Sequence, residues 1–448
     1  MKRVTTIVGA GAVLDLDIPG GAIRPSTHNI TESIRKIRHK NVLTGRDIVE
    51  IEEVYQILKN EYPVPPNFEQ IFHVLEMFIA YGWVWQHPTS LPKTAKMYPV
   101  FAPFTSPKWL FDADNVDQAL RKVLLVIMDI VNGYNAPYLD GTCRNQWYRD
   151  FWRGYDGAWD IFNLNYDTTI EHTLDYCEDG FEDIPGQPEF QHFVPKKLWE
   201  NRNEYSTMSH LHGCIEFFDS RYKSEVYDKE YIKYGFNDLY KYSSYDKVRD
   251  MYIGSGKSKP SNQAGECYVN TPIITGLMKP DKLNILPFAY YHNHLYNSMM
   301  RNNSLLIVGY SFGDLYINQI LDRMELIHGQ DKRVVLIDYW RLMENEETID
   351  SIEDERNRSW HIRDMMRQKL YDNGINNDLA VFLCRMTGMS DCNNALRSFT
   401  SYDRTGPMVS ENGCLMLFIG GFKAASHYQK EIYDFLNSSR KHERCGDS

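Results

Sequence analysis

Two aliphatic runs, Ser304–Val308 and Arg333–Ile337, limit the folds open to this chain more than any other feature. Neither alternates apolar with polar residues, so each fits a strand covered on both faces, as in a parallel sheet. One helix-length pattern, residues 314–327, lies between them. Parallel neighbours need a crossover rather than a hairpin, so strand, helix and strand in that order predict a βαβ unit. Residues 4–8 form a third buried run, ending in the tight turn Gly9-Ala10-Gly11-Ala12. Strand-like runs recur at 158–164 and 207–211. The expectation is an α/β chain built on a parallel sheet.

Helical periodicity dominates from the first strand to about residue 155. Asn67, with Gln70 three residues on, reads as a capping pair ahead of the apolar stripe Phe68, Ile71, Phe72, Leu75, Phe78 and Ile79. A second helix is expected over 116–131. Residues 241–270, rich in Ser, Gly, Lys and Tyr with little periodicity, read as a loop or insertion. Beyond residue 342 come an acidic helix-like region and two apolar runs, 379–384 and 414–419. The expected division is a sheet domain (1–27 and 156–342), a large helical insertion (28–155) and a C-terminal α/β extension of unassigned role (343–448).

Composition excludes some functions. With 448 residues, 43% apolar and 24% charged, the chain suits a soluble globular protein of two or three structural units. A formal net charge of −11 argues against direct, sequence-specific nucleic-acid binding, because phosphate contacts need clustered Lys and Arg. No stretch reaches the roughly 18 apolar residues that span a bilayer. The first apolar run is too short for a signal peptide. A cytoplasmic protein is expected. The eight scattered cysteines include no C-x-x-C pair, so no zinc or other metal is expected.

The glycine turns are the first candidates for chemistry. Gly9, Ala10 and Gly11 follow a strand, where glycines let backbone approach a pyrophosphate and a following helix N-terminus attracts the anion. Leu14 stands where the third glycine of G-x-G-x-x-G would fall, so a turn without ligand is the competing reading. Gly309-Tyr310-Ser311-Phe312-Gly313 is formally G-x-S-x-G between strand and helix. That admits an α/β-hydrolase with Ser311 as nucleophile, Asp338 and His427. Against it, no H-G-G-G-type oxyanion loop lies upstream, and the first glycine turn is left without a role.

Polar residues close two further strands. Asn165-Tyr166-Asp167 follows the run at 158–164, and in open parallel sheets ligands sit beyond the strands' carboxyl ends. Asp167 reads equally as an Asx turn or helix cap. His210-Leu211-His212-Gly213 closes the next run. A histidine there suits a general base on a ribose hydroxyl or on water, or a hydrogen-bonded structural role.

Together these motifs resemble the sirtuin-like superfamily, and more closely its bacterial branch found in antiphage defence. The likeness spans roughly residues 4 to 340. It rests on Gly9-Ala10-Gly11, Asn165-Tyr166-Asp167, His212-Gly213, Thr275-Gly276 with Lys279, and a string from Gly309-Tyr310-Ser311-Phe312 through Asp314 to Ile317-Asn318. The resemblance implies a Rossmann-like, doubly wound parallel sheet that binds NAD as substrate. The zinc module and the P-D-F-R segment of the deacetylases are both missing, so water is the implied acceptor and the activity NAD hydrolysis to nicotinamide and ADP-ribose. Asn165 and His212 become the implied catalytic pair, with Gly9, Ala10, Gly11, Asp167, Gly309, Ser311 and Asp338 along the dinucleotide. Homo-oligomers and partners such as a HerA-type ATPase or another defence-system protein are implied, with NAD depletion on infection. ADP-ribosyl transfer and a non-catalytic NAD or ADP-ribose sensor remain alternatives.

Overall fold

The computed structural model describes residues 2–37, 51–61, 65–86, 113–139, 143–200, 204–219, 239–242, 244–253, 272–275, 283, 285–340, 354–371 and 377–438. Twelve strands occur among them: β1 (Arg3–Val8), β2 (Ala158–Asn163), β3 (Cys177–Glu178), β4 (Phe181–Ile184), β5 (Gln187–Phe193), β6 (Ser206–His210), β7 (Phe217–Asp219), β8 (Leu239–Tyr242), β9 (Ser304–Val308), β10 (Arg333–Ile337), β11 (Met408–Val409) and β12 (Leu415–Phe418). Eight form one sheet in the order β11-β12-β10-β9-β1-β2-β6-β3. Every pairing in it is parallel except β11 with β12.

The aliphatic runs explain this arrangement. Successive side chains of a strand point to opposite faces, and here both faces are covered. Val4 and Val8 of β1 join one apolar cluster with Leu306, Val308, Val335 and Ile337, while Ile7 joins the other with Leu305, Ile307 and Leu336. Helices Ala113–Leu139 and Gln429–Asn437 cover the first face through Val123, Ile127, Ile432 and Leu436. Helices Phe288–Arg301 and Leu315–His328 cover the second through Leu295, Met299, Ile317 and Leu321. The charged residue inside β2, Asp160, is fully buried and satisfied by Arg3, Thr207 (3.0 Å), Ser298 (2.6 Å) and Asn302 (3.0 Å).

β1 lies at the centre. The chain goes from it to β2 and β6 on one side, then returns to β9, β10 and β12 on the other. Strand order therefore reverses at β1, the place where open α/β sheets hold a crevice beyond their carboxyl ends.

The expected βαβ unit is present, with β9 and β10 as parallel neighbours joined through Leu315–His328. The capping pair forms as well. The Asn67 N–H donates to Gln70 Oε1 (2.8 Å), and the Gln70 N–H donates to Asn67 Oδ1 (3.2 Å). Helix Phe68–Gln86 follows; Phe78 and Ile79 lie in it, with side chains outside the described residues. The second helix is longer than the expected 116–131, running Ala113–Leu139.

Two stretches differ from the sequence reading. Part of residues 241–270 is regular structure: Lys241 and Tyr242 end β8, and Tyr245–Ile253 forms a helix. β8 pairs antiparallel with β5 and β7 in a second sheet, ordered β4-β5-β8-β7. Its strands mix buried aromatics such as Phe190, Phe218 and Tyr240 with paired charges, which hid the period, and Lys241 is neutralised by Asp179 (2.7 Å). Residues 254–270 lie outside the described residues. Past residue 342, the run at 379–384 lies in helix Asn377–Thr387, and the run at 414–419 contains β12, which extends the main sheet. Among the described residues no helix is long and apolar enough to cross a membrane.

Candidate active site

Five strand ends border one cavity of about 490 Å³. Gly9, Ala10 and Gly11 follow β1, Asn165 follows β2, His212 follows β6, Gly309 and Ser311 follow β9, and Asp338 follows β10. Each of these residues, singled out in the sequence, lines the cavity.

The floor is made where the two glycine turns meet. The Gly9 N–H donates to Val308 O (2.9 Å) and the Gly11 N–H to Gly309 O (2.9 Å). A Cβ on Gly9 would fall 2.5 Å from Gly309 O, and one on Gly309 would fall 2.3 Å from Ala12 N. Gly309 also has φ +62°, a region that penalises side chains. Glycines are thus required for the two turns to touch. The expected helix after Gly11 is instead a short 3-10 turn, Ala10–Val13, and the N–H groups of Gly9, Gly11 and Ala12 are spent within the protein. The glycines therefore contribute room for a ligand rather than a helix dipole. Leu14 ends that turn in a right-handed conformation (φ −68°), which any residue adopts.

Asn165 is buried at 8% exposure and locked in place. Its N–H donates to Asn163 Oδ1 (2.9 Å), and its Nδ2 donates to Gly9 O (3.0 Å), tying the end of β2 to the first glycine turn. Asn163 braces the loop further by donating to Asp167 O (3.1 Å).

Asp167 is the exception among the expected contacts: it does not line the cavity. It is 1% exposed and accepts from the Thr169 N–H (3.1 Å), an Asx turn, and from the Tyr134 hydroxyl (3.1 Å). That turn rotates the carboxylate behind the wall. Burial pushes its pKa above the usual value, partly offset by hydrogen bonds from Thr169 and Tyr134. Tyr134, the donor to Asp167, does line the cavity.

His212 is 7% exposed, and its Nε2 lies 3.0 Å from Asp314 Oδ2. Gly213 beside it has φ +91°, and a Cβ there would fall 2.0 Å from Pro272 O, which explains the His-Gly pairing. Asp314 does two jobs. Its Oδ1 caps helix Leu315–His328 by accepting from the N–H groups of Tyr316 (3.0 Å) and Ile317 (3.2 Å). The Tyr310 hydroxyl accepts from the Asp314 N–H (3.2 Å) and donates to Asn318 Oδ1 (2.7 Å). Tyr310, Asp314 and Asn318 of the sequence string are thus one hydrogen-bonded unit.

Asp338 has a pKa raised by burial, countered by bonds from Trp340 Nε1 (2.8 Å) and the Tyr339 N–H (2.8 Å). The rival triad is not assembled. Ser311 and Asp338 share the cavity, but His427 is exposed and does not line it. The left-handed non-glycine residue of the G-x-S-x-G turn is Phe312 (φ 59°), not Ser311.

Sequence reasoning assigned no role to Asp314, Tyr134, Glu69 or Lys369, all of which line the cavity. Asp314 alone carried a signal, as the first residue of the helical pattern after the second glycine turn. Glu69 and Tyr134 come from the helical segment and Lys369 from helix Glu355–Tyr371, joined only by the fold. Gly276 and Lys279 lie outside the described residues. Among the described residues no three His, Cys, Asp or Glu side chains gather to hold a metal. No family model matches this chain, and no curated protein matches it.

Proposed function

We propose that this chain is a cytoplasmic NAD hydrolase with a Rossmann-like core, releasing nicotinamide and ADP-ribose. The observation that carries the reading is the convergence of both glycine turns, Asn165 and His212 on one cavity. Strands lie about 4.8 Å apart, so the four intervals from β10 to β6 span roughly 19 Å. That length suits an extended dinucleotide: adenosine ribose at Asp338, pyrophosphate over the glycine junction, nicotinamide ribose between Asn165 and His212. The cavity volume is ordinary for a small-molecule site.

The chemistry follows from the bond that breaks. The glycosidic electron pair leaves with neutral nicotinamide, and the ribose gains oxocarbenium character that fixed polar groups stabilise. Asn165 orients the ribose and water. His212 takes a proton from a ribose hydroxyl or from the water whose oxygen bonds to the anomeric carbon. The motif resemblance supports a place in antiphage defence, with the activity held back in an oligomer or by a partner such as a HerA-type ATPase.

Removing one such group costs about 100- to 1000-fold in rate. Asn165→Ala and His212→Ala should each lose that much NAD turnover while keeping the wild-type melting temperature within a few degrees. Chromatography of the products from NAD alone checks this. Free nicotinamide and ADP-ribose support hydrolysis, whereas mass added to protein indicates transfer. Wild-type turnover by either variant overturns the assignment of that residue.

A further inference from the structure

We propose that Lys369 binds the pyrophosphate of the dinucleotide, so that the C-terminal extension supplies the positive charge of the site. The inference deepens the hydrolase reading and rests on it for the identity of the ligand. Three acids, Glu69, Asp314 and Asp338, line the cavity, and Lys369 is the only lysine or arginine among its described lining residues. Bringing an anionic pyrophosphate into such a pocket without a compensating charge is costly. Lysine is a common phosphate binder that acts as a point charge.

The backbone at the glycine junction is already committed. The N–H groups of Gly9, Gly11, Ala12 and Gly309 donate to Val308 O (2.9 Å), Gly309 O (2.9 Å), Gly9 O (3.0 Å) and Ile337 O (2.8 Å). Helix Leu315–His328, which follows the second glycine turn, has the N–H groups of Tyr316 and Ile317 taken by Asp314 Oδ1. The charge of a bound phosphate therefore falls to a side chain.

Lys369 stands where that charge is needed. It is half-buried in the last turn of helix Glu355–Tyr371, and its ammonium forms no ion pair or hydrogen bond with the described residues. Burial raises the Asp338 pKa, and the Lys369 charge is among the influences that pull it back, so the ammonium lies within electrostatic reach of the end of β10. The glycine junction is one strand away, since the Gly309 N–H donates to the carbonyl of Ile337, the residue before Asp338. Neighbouring strands lie about 4.8 Å apart, a gap that the flexible four-carbon stem of lysine spans.

The test is calorimetry with ADP-ribose, which carries the pyrophosphate but has no nicotinamide to lose, on wild type, Lys369→Gln and Lys369→Arg. Losing one charge-assisted contact costs roughly 10- to 100-fold in affinity. Lys369→Gln should weaken ADP-ribose by that factor, with the melting temperature of the unliganded protein unchanged. Lys369→Arg keeps the charge and should stay within about threefold of wild type. ADP-ribose carrying an added 2′-phosphate, titrated in parallel, locates the contact: a pyrophosphate contact gives the same fractional loss for both ligands. A loss confined to the 2′-phosphorylated ligand overturns the assignment to pyrophosphate, and a loss shared equally by Lys369→Arg overturns charge as its cause. Equal affinity of wild type and Lys369→Gln for ADP-ribose overturns the proposal and leaves the hydrolase reading standing. Wild type that binds ADP-ribose but never consumes NAD sinks the hydrolase reading alone; wild type that binds neither ADP-ribose nor NAD sinks both.

Discussion

Gly309 shows how narrow the tolerance of this site is at the scale of one residue. Its left-handed backbone costs a side chain roughly 1–2 kcal/mol, and a Cβ would also overlap Ala12 N at 2.3 Å. Gly309→Ala should therefore lower stability by at least about 2 kcal/mol, read as a shift in the denaturant midpoint. An unshifted midpoint would mean that the two glycine turns do not touch as described. The same scale marks what the sequence could tell. A polar residue just past a buried strand must sit at the sheet's carboxyl edge, so Asn165 and His212 were legible. Which of the two polar side chains in Asn165-Tyr166-Asp167 faces the cavity was not, because an Asx turn swings Asp167 away through a hydrogen bond no periodicity encodes.

Between elements, the contact of the loop after β2 with the end of β6 carries a pH signature. His210 Nε2 bonds to Glu171 inside the protein. Burial alone would lower the His210 pKa, but the Glu171 charge and bond outweigh it, so the net shift is upward from 6.5. Burial opposes ionised Glu171 too, yet the His210 charge and bond bring it below 4.5. The His210 share of stability is present below 6.5 and fades as pH rises through its raised value. The Glu171 share is present above 4.5 and fades as pH falls through its lowered value. The pair contributes most between those limits. Glu171→Gln should flatten the loss of melting temperature on either side of this window, as pH rises above 6.5 and as it falls below 4.5; a curve parallel to wild type would exclude the pair as its source. Element identity was legible where burial was two-sided, as in β9 and β10. It failed for β4, β5, β7 and β8, whose short strands mix buried aromatics with paired charges.

At the scale of the whole molecule, distant segments close one cavity. The helical segment supplies Ile30, Asn67, Phe68, Glu69, Val131 and Tyr134, and helix Glu355–Tyr371 supplies Lys369. No pattern within a segment announces such a wall, because each of its residues satisfies local rules of capping or packing first. Whether one dinucleotide lies across five strand ends is decided by the structure of His212→Ala with NAD trapped in it. A single NAD is expected, with its nicotinamide ribose within hydrogen-bond reach of Asn165 and its adenosine ribose at Asp338. An empty cavity at saturating NAD, or a dinucleotide lying the other way round, would rule that placement out.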